Sequence, residues 1–141
     1  MYTLITEDSF DAAHFLSNYE GKCRNIHGHR WRVVAEIYSK ELKKDDSTKD
    51  MVVDFDTLKA HLKEETEQFD HAFIIEKGSL KEKTYESLCE ENFKMVMVDF
   101  RTTAENFSKY FYEVLEKKGY DVKQVSVYET PNNCATYTRE I

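Results

Sequence analysis

YTLITEDSFDAAHFLSNYEGKCRNIHGHRWRVVAEIYS, residues 2–39, decides the fold. Residues 2–14 read as a strand, with Leu4, Thr6, Phe10, Ala12 and His14 on one face at period two. A polar loop follows. From His29 to Ser39 the alternation is the clearest in the chain: Trp31, Val33, Ala35 and Ile37 share one face, and Arg30, Arg32, Glu36 and Tyr38 point mostly the other way. If the two strands pair through the intervening loop, a hairpin results. His14 then ends one arm on the apolar face. His27 and His29, two apart, project together from the other arm.

Outward from this hairpin the pattern changes. Lys40–Asp50 is a charged turn region leading to a short run, Met51–Val53. Asp54 is placed to cap a helix over roughly 55–68, in which Phe55, Leu58, Leu62 and Phe69 recur at helical spacing. Residues 79–91 allow a second, shorter helix, and Lys94–Phe100 is strand-like. Thr102-Thr103-Ala104-Glu105 resembles a capping box opening a helix that buries Phe107, Tyr110, Phe111, Val114 and Leu115, with Gly119 as its stop. Val122–Glu129, a turn at Thr130–Asn133 and a strand around Ala135–Arg139 close the chain. Grouped strands and helices, rather than strict alternation, predict an α+β fold with helices on one face of an antiparallel sheet.

The 141 residues carry 40% hydrophobic and 33% charged side chains, with four glycines and one proline. That balance fits one globular domain, residues 1–141, with no linker or repeat. No apolar run approaches the roughly 18 residues of a membrane span. The N-terminus lacks a basic region followed by an apolar stretch, so a cytoplasmic protein is expected. A formal charge of −7 argues against wide nucleic-acid contact. The cysteines number three, without a CxxC pair, which suits a reducing compartment.

Three imidazoles meeting at one end of a hairpin, with a fourth position open, are the usual form of a catalytic zinc site. His14, His27 and His29 are the expected ligands. The alternative for HxH alone is a pair of strand-end histidines in water. Cys23, four residues before His27, is either a fourth ligand closing a structural site or a free thiol whose thiolate acts as base or nucleophile. Asp70-His71 follows the first helix; the pair is either a polar surface dipeptide or a carboxylate that orients this imidazole or another group. Val125, Val127 and Glu129 share a strand face, so a carboxylate continues an apolar row. It either emerges into solvent or grips the amino and ring N–H edge of a guanine-like heterocycle. Glu105 reads first as the capping-box acid.

FDAAH, CRNIHGH, MVVDFDTLK, FDHAFI, TTAEN and VSVYET, in that order over nearly the whole chain, resemble the 6-pyruvoyltetrahydropterin and 6-carboxytetrahydropterin synthase superfamily. The Cys-x3-His-Gly-His spacing is similar to that of the bacterial carboxy-forming enzymes of queuosine biosynthesis; the pyruvoyl-forming animal enzymes have a longer gap. The resemblance implies a tunnelling fold, whose subunits join sheets into a barrel, and a hexamer of two trimers with active sites between subunits. It implies Zn2+ on His14, His27 and His29, with Cys23 as the proton-transferring base. His71, supported by Asp70, would join the catalytic relay. Glu129 would anchor the pterin and be grouped with the relay, and Thr103 and Glu105 would help form the pterin pocket. The implied reaction is that of a lyase: 7,8-dihydroneopterin triphosphate gives 6-carboxy-5,6,7,8-tetrahydropterin, acetaldehyde and triphosphate. Lys22, Arg24 and Arg30 are the sequence's candidates for the triphosphate. Two rivals remain. One is the pyruvoyl-forming reaction at the same site; the other is a non-catalytic zinc-binding domain closed by Cys23. Lys40–Asp50 and Gly78–Asn92 are longer than in compact bacterial members and are expected to bear on subunit contacts or the pocket mouth.

Overall fold

The computed structural model describes residues 1–139. Strands β1 (Tyr2–His14) and β2 (His27–Ser39) pair antiparallel along their whole length, with Phe10 opposite Trp31, Ala12 opposite His29 and His14 opposite His27. This is the expected hairpin, with β2 beginning two residues earlier than its alternation shows. Helix α1 (Phe55–Glu67) follows, then β3 (Ala72–Glu76), α2 (Glu82–Glu90), β4 (Met95–Val98), α3 (Ala104–Lys117), β5 (Val122–Thr130) and β6 (Asn133–Tyr137).

The six strands form one sheet in the order β4-β3-β1-β2-β5-β6. The β1–β2, β2–β5 and β5–β6 pairs are antiparallel, whereas β1–β3 and β3–β4 are parallel. The fold is α+β, as expected, but its sheet is mixed at one edge. The cause is β3, which the sequence reading did not assign. Ala72, Ile74 and Ile75 are all buried, and a short apolar run of this kind carries no alternation to betray a strand.

Helices α1 and α3 cover the face on which Phe10, Ala12, Trp31, Val33, Ala35, Val125 and Val127 are buried. Leu62, Phe69, Phe107, Phe111 and Leu115 come from the helical side. The centre is aromatic: Phe10 stacks on Trp31 with ring centres 5.9 Å apart, and Trp31 meets Phe107 at 4.9 Å. Such faces associate through apolar burial, about 25 cal/mol per Å² removed from water. Asp54 caps α1, its carboxylate accepting from the Thr57 amide at 2.9 Å and hydroxyl at 2.7 Å. Helix α3 ends in a Schellman turn: Tyr120 N–H donates to the Leu115 carbonyl and Gly119 N–H to that of Glu116, with Gly119 at φ +99°. Helix α2, inside the long Gly78–Asn92 stretch, contributes no buried residue.

The expected capping box is displaced by one residue. Thr103, not Thr102, is the N-cap of α3, its hydroxyl accepting from the Asn106 amide at 3.2 Å. Glu105 therefore does not cap; it lies in the first turn with its carboxylate available. Thr102 is released for another use.

Candidate active site

The β1–β2 register sets His14 and His27 opposite one another at the open end of the hairpin, with His29 one pleat along. Trp31 forms the floor, its ring edge-on to His14 at 4.8 Å and to His29 at 5.3 Å. One ring nitrogen from each histidine lies within 4.8 Å of the others. All three Nε2 atoms are buried without a hydrogen-bond partner.

The opposite nitrogens explain this. His27 Nδ1–H donates to the Asn25 carbonyl at 2.7 Å, which leaves Nε2 as a lone pair. His14 Nδ1 lies 3.0 Å from Thr102 Oγ1, and that hydroxyl is 3.4 Å from the Phe15 carbonyl. A hydroxyl that donates to Phe15 accepts from His14 Nδ1–H, again freeing Nε2. Burial, then the neighbouring His27 and His29, pushes the His14 imidazole down from its usual range to about 4. Burial and His27 also lower His29. These are neutral imidazoles, the form that ligates a metal. Three buried, unpartnered Nε2 atoms, two of them on rings held from behind by oxygen partners, fit a resident Zn2+. Cys23 lies outside this cluster, so the closed four-ligand site expected of a purely structural zinc domain is not what the chain builds.

Cys23 sits in a short 3-10 turn, Lys22–Arg24, and its carbonyl accepts from Leu16 N–H at 2.9 Å, closing the loop. The thiol is free and half-buried. With Arg101, Thr103, Glu105, Glu129 and Cys134 it lines a cavity of about 370 Å³. Glu129 reaches this cavity through a β-bulge: Tyr128 pairs with Cys134 and Thr130 with Asn133, leaving Glu129 unpaired between them. Its carboxylate lies 4.0 Å from His29 Nε2, a proximity rather than an ion pair with a neutral ring. Burial raises the Glu129 carboxyl above its usual range, opposed by His27 and reinforced by Glu105.

His71 lines a different cleft, with Asp70 beside it in the chain. His71, together with Asp11, His29 and Arg30, lines a cavity of about 460 Å³ that contains neither Cys23 nor Glu129. Asp70 does orient its neighbour: its Oδ2 is 2.9 Å from His71 Nδ1, while Oδ1 accepts from Asp11 N–H at 2.9 Å. The Asp11 amide first, then His71, hold the Asp70 carboxyl below its ordinary range. His71 takes φ +59°, a left-handed conformation uncommon outside glycine, and its N–H donates to the Asp11 carbonyl at 2.6 Å. Bonds on both sides thus fix the turn that presents an imidazole 77% exposed. Its carboxylate partner is Asp70, whereas Glu129 faces His29.

Among the residues suggested for an anion, Arg30 is paired with Asp11 at 3.2 Å. Lys22 is exposed on its turn. Arg24 is exposed and makes no side-chain ion pair among the described residues. The sequence reading missed Thr102 and Arg101. The doubled threonine of TTAEN is the signal for the first, since a helix needs only one as its cap.

A mixed sheet with helices on one face, carrying a histidine triad at the end of its first hairpin, defines a tunnelling-fold protein with a metal-competent site. Solved structures agree. An uncharacterized protein from Wolinella succinogenes, 24% identical, superposes with a TM-score of 0.79 over 99% of this chain and 98% of that one. The 6-pyruvoyl tetrahydropterin synthase of Caenorhabditis elegans, 27% identical, gives 0.68 over 99% and 96%. The 6-carboxy-5,6,7,8-tetrahydropterin synthase of Haemophilus influenzae is 35% identical over 140 residues, covering 97% of this chain and 99% of that protein. Residues 3–140 match the 6-pyruvoyl tetrahydropterin synthase family, and the chain belongs to it. It is an enzyme of the pterin synthase type. No helix among the described residues is long and apolar enough to cross a membrane.

Proposed function

We propose that this chain is a zinc-dependent 6-carboxytetrahydropterin synthase. It converts 7,8-dihydroneopterin triphosphate and one water to 6-carboxy-5,6,7,8-tetrahydropterin, with release of acetaldehyde and triphosphate. The observation that carries the proposal is the set of three buried, unpartnered imidazole nitrogens beside a cavity lined by Cys23 and Glu129. The relatives named for this activity and the short Cys-x3-His spacing favour it over the pyruvoyl-forming reaction.

His14, His27 and His29 hold the zinc, whose chemistry is that of a Lewis acid polarising substrate oxygen. Glu129 receives the amino and ring N–H edge of the pterin, with Thr103 and Glu105 forming the adjacent wall. Cys23, which lines the same cavity, moves the proton at side-chain carbon. His71, oriented by Asp70, completes the relay. Its exposure and its separate cleft fit a group offered across a subunit boundary, in a hexamer of two trimers. The protein acts in the cytoplasm, with its product feeding queuosine synthesis.

The test is a mass-spectrometric product assay on purified, zinc-loaded protein given 7,8-dihydroneopterin triphosphate. Carboxytetrahydropterin with equimolar acetaldehyde is expected. Pyruvoyltetrahydropterin without acetaldehyde would transfer the chain to the pyruvoyl-forming activity. Cys23→Ala should keep zinc and lose turnover, whereas His27→Ala should lose both. Loss of zinc from Cys23→Ala would refute the role given to the thiol.

A further inference from the structure

Arg101 is a half-buried cation without an anion among the described residues. Its carbonyl is fixed at the start of α3, accepting from Thr103 N–H at 2.8 Å and Asn106 Nδ2 at 2.9 Å. The guanidinium crosses to the loop that carries Cys23, where Nη2 donates to the Ser17 carbonyl at 2.9 Å and the group lies 6.0 Å from the Tyr19 ring. Ser17 is itself held, its hydroxyl donating to Glu76 at 3.0 Å. Nε of Arg101 is buried and has no partner, and no carboxylate pairs with the guanidinium among the described residues. A buried, unmatched donor on a permanent cation is costly, and an anion placed beside it offsets that cost.

The surroundings say which anion. Arg101 lines the cavity of Cys23 and Glu129. Leu16 and Tyr19 are shared with a second cavity of about 380 Å³, which is lined also by Ser17, Asn18, Arg24 and Ser79. Arg101 and Arg24 are the only cations lining either cavity among the described residues. Glu129 and Glu105 make the first cavity acidic where a donor edge is to be received, so an anionic tail must leave in another direction. The route past Tyr19 leads from one arginine to the other. Tyr19 is folded back there over Gly21, where a Cβ would lie 2.5 Å from its ring.

We infer that Arg101 and Arg24 form the subsite for the polyphosphate tail of the substrate, Arg101 at its buried end and Arg24 at its exposed end. The inference rests on the pterin triphosphate reading of the site. It replaces Lys22 and Arg30 as candidates and leaves Arg24, joined by a residue that the sequence reading passed over.

The experiment compares neopterin with neopterin 3′-triphosphate, oxidised ligands whose fluorescent ring reports binding without turnover. Metal-loaded protein, Arg101→Gln and Arg24→Gln are titrated with each. The readout is the ratio of the two dissociation constants. The unmodified protein should hold the triphosphate at least about tenfold more tightly than neopterin, as expected for charge-assisted contacts. Arg101→Gln should lose most of that ratio and Arg24→Gln part of it, both with the neopterin constant unchanged. A ratio near one in the unmodified protein, or an unchanged ratio in both variants, would overturn the subsite while leaving the pterin site intact. An Arg101→Gln protein that weakens both ligands equally would mark Arg101 as a tether of the loop and overturn its role. Arg24→Gln, an exposed change, tests the subsite even if Arg101→Gln fails to fold. Failure of the unmodified protein to bind neopterin itself would instead count against the proposed function.

Discussion

Acidification of the metal-free protein should destabilise it in a window set by His14. That ring is 1% exposed, and burial with His27 and His29 holds its imidazole at about 4. In the unfolded chain it titrates near the usual value of about 6.5. Between these values the unfolded state carries a proton that the folded state refuses, so stability falls as pH falls. The contribution is fully present above about pH 6.5 and lost on the way to about pH 4. Integrated from pH 7.5, the loss is about 2 kcal/mol at pH 5 and about 3 kcal/mol at pH 4. His29 acts in the same direction. Urea unfolding of chelator-treated protein, followed by the fluorescence of Trp31, the only tryptophan and fully buried, measures it. At pH 5 the midpoint should move down by about 1 M, for a urea slope of about 2 kcal/mol per M. The control is His14→Phe, which keeps a ring against Trp31 but binds no proton. Its stability should fall by about 2 kcal/mol less than that of the unmodified protein over the same interval. Equal losses in the two proteins, or no loss in either, would refute the assignment of a buried neutral imidazole.

Two further outcomes follow from the neighbourhood of the triad and from the end of α3. Thr102→Val removes the oxygen behind His14 while keeping its shape, so zinc affinity should fall by about 10- to 100-fold with the fold intact; competition with a chromogenic chelator would show it, and unchanged affinity would leave Thr102 a packing residue only. Gly119→Ala places a Cβ at φ +99°, where nothing crowds it but the backbone conformation is strained. A stability loss of about 1 kcal/mol in urea is expected, and a stabilised variant would contradict the Schellman geometry.

The hairpin was legible because both of its strands alternate and are half buried. Period two assigns Trp31, Val33, Ala35 and Ile37 to one side, and these four are at most 1% exposed. Asp54 and Gly119 were legible because caps act through chemistry local to the chain. Strand β3 was not, since Ala72–Glu76 pairs in parallel with β1 and β4 across long connections, and no local pattern encodes a parallel partner. The mixed edge of the sheet follows from that single strand.

The site divides along the same line. Side chains whose geometry follows from strand pairing, His14, His27 and His29, could be brought together on paper, because the register of one hairpin is enough. Glu129 was recognised for its place in an apolar row, yet a bulge that period two does not anticipate sets it between Tyr128 and Thr130. Thr102 and Arg101 escaped because their roles depend on where the chain starts α3. Had Thr102 been the cap, Glu105 would close the box and His14 Nδ1 would have no oxygen behind it. Starting the helix one residue later gives the cap to Thr103, frees Glu105 to line the cavity and places Thr102 against His14. It also leaves the Arg101 carbonyl to be gripped by Asn106 while the guanidinium spans to Ser17. A one-residue choice at a helix start thus settles the support of the histidine cluster, the cavity wall and the proposed anion subsite together, and it is made by tertiary contacts rather than by the TTAE pattern.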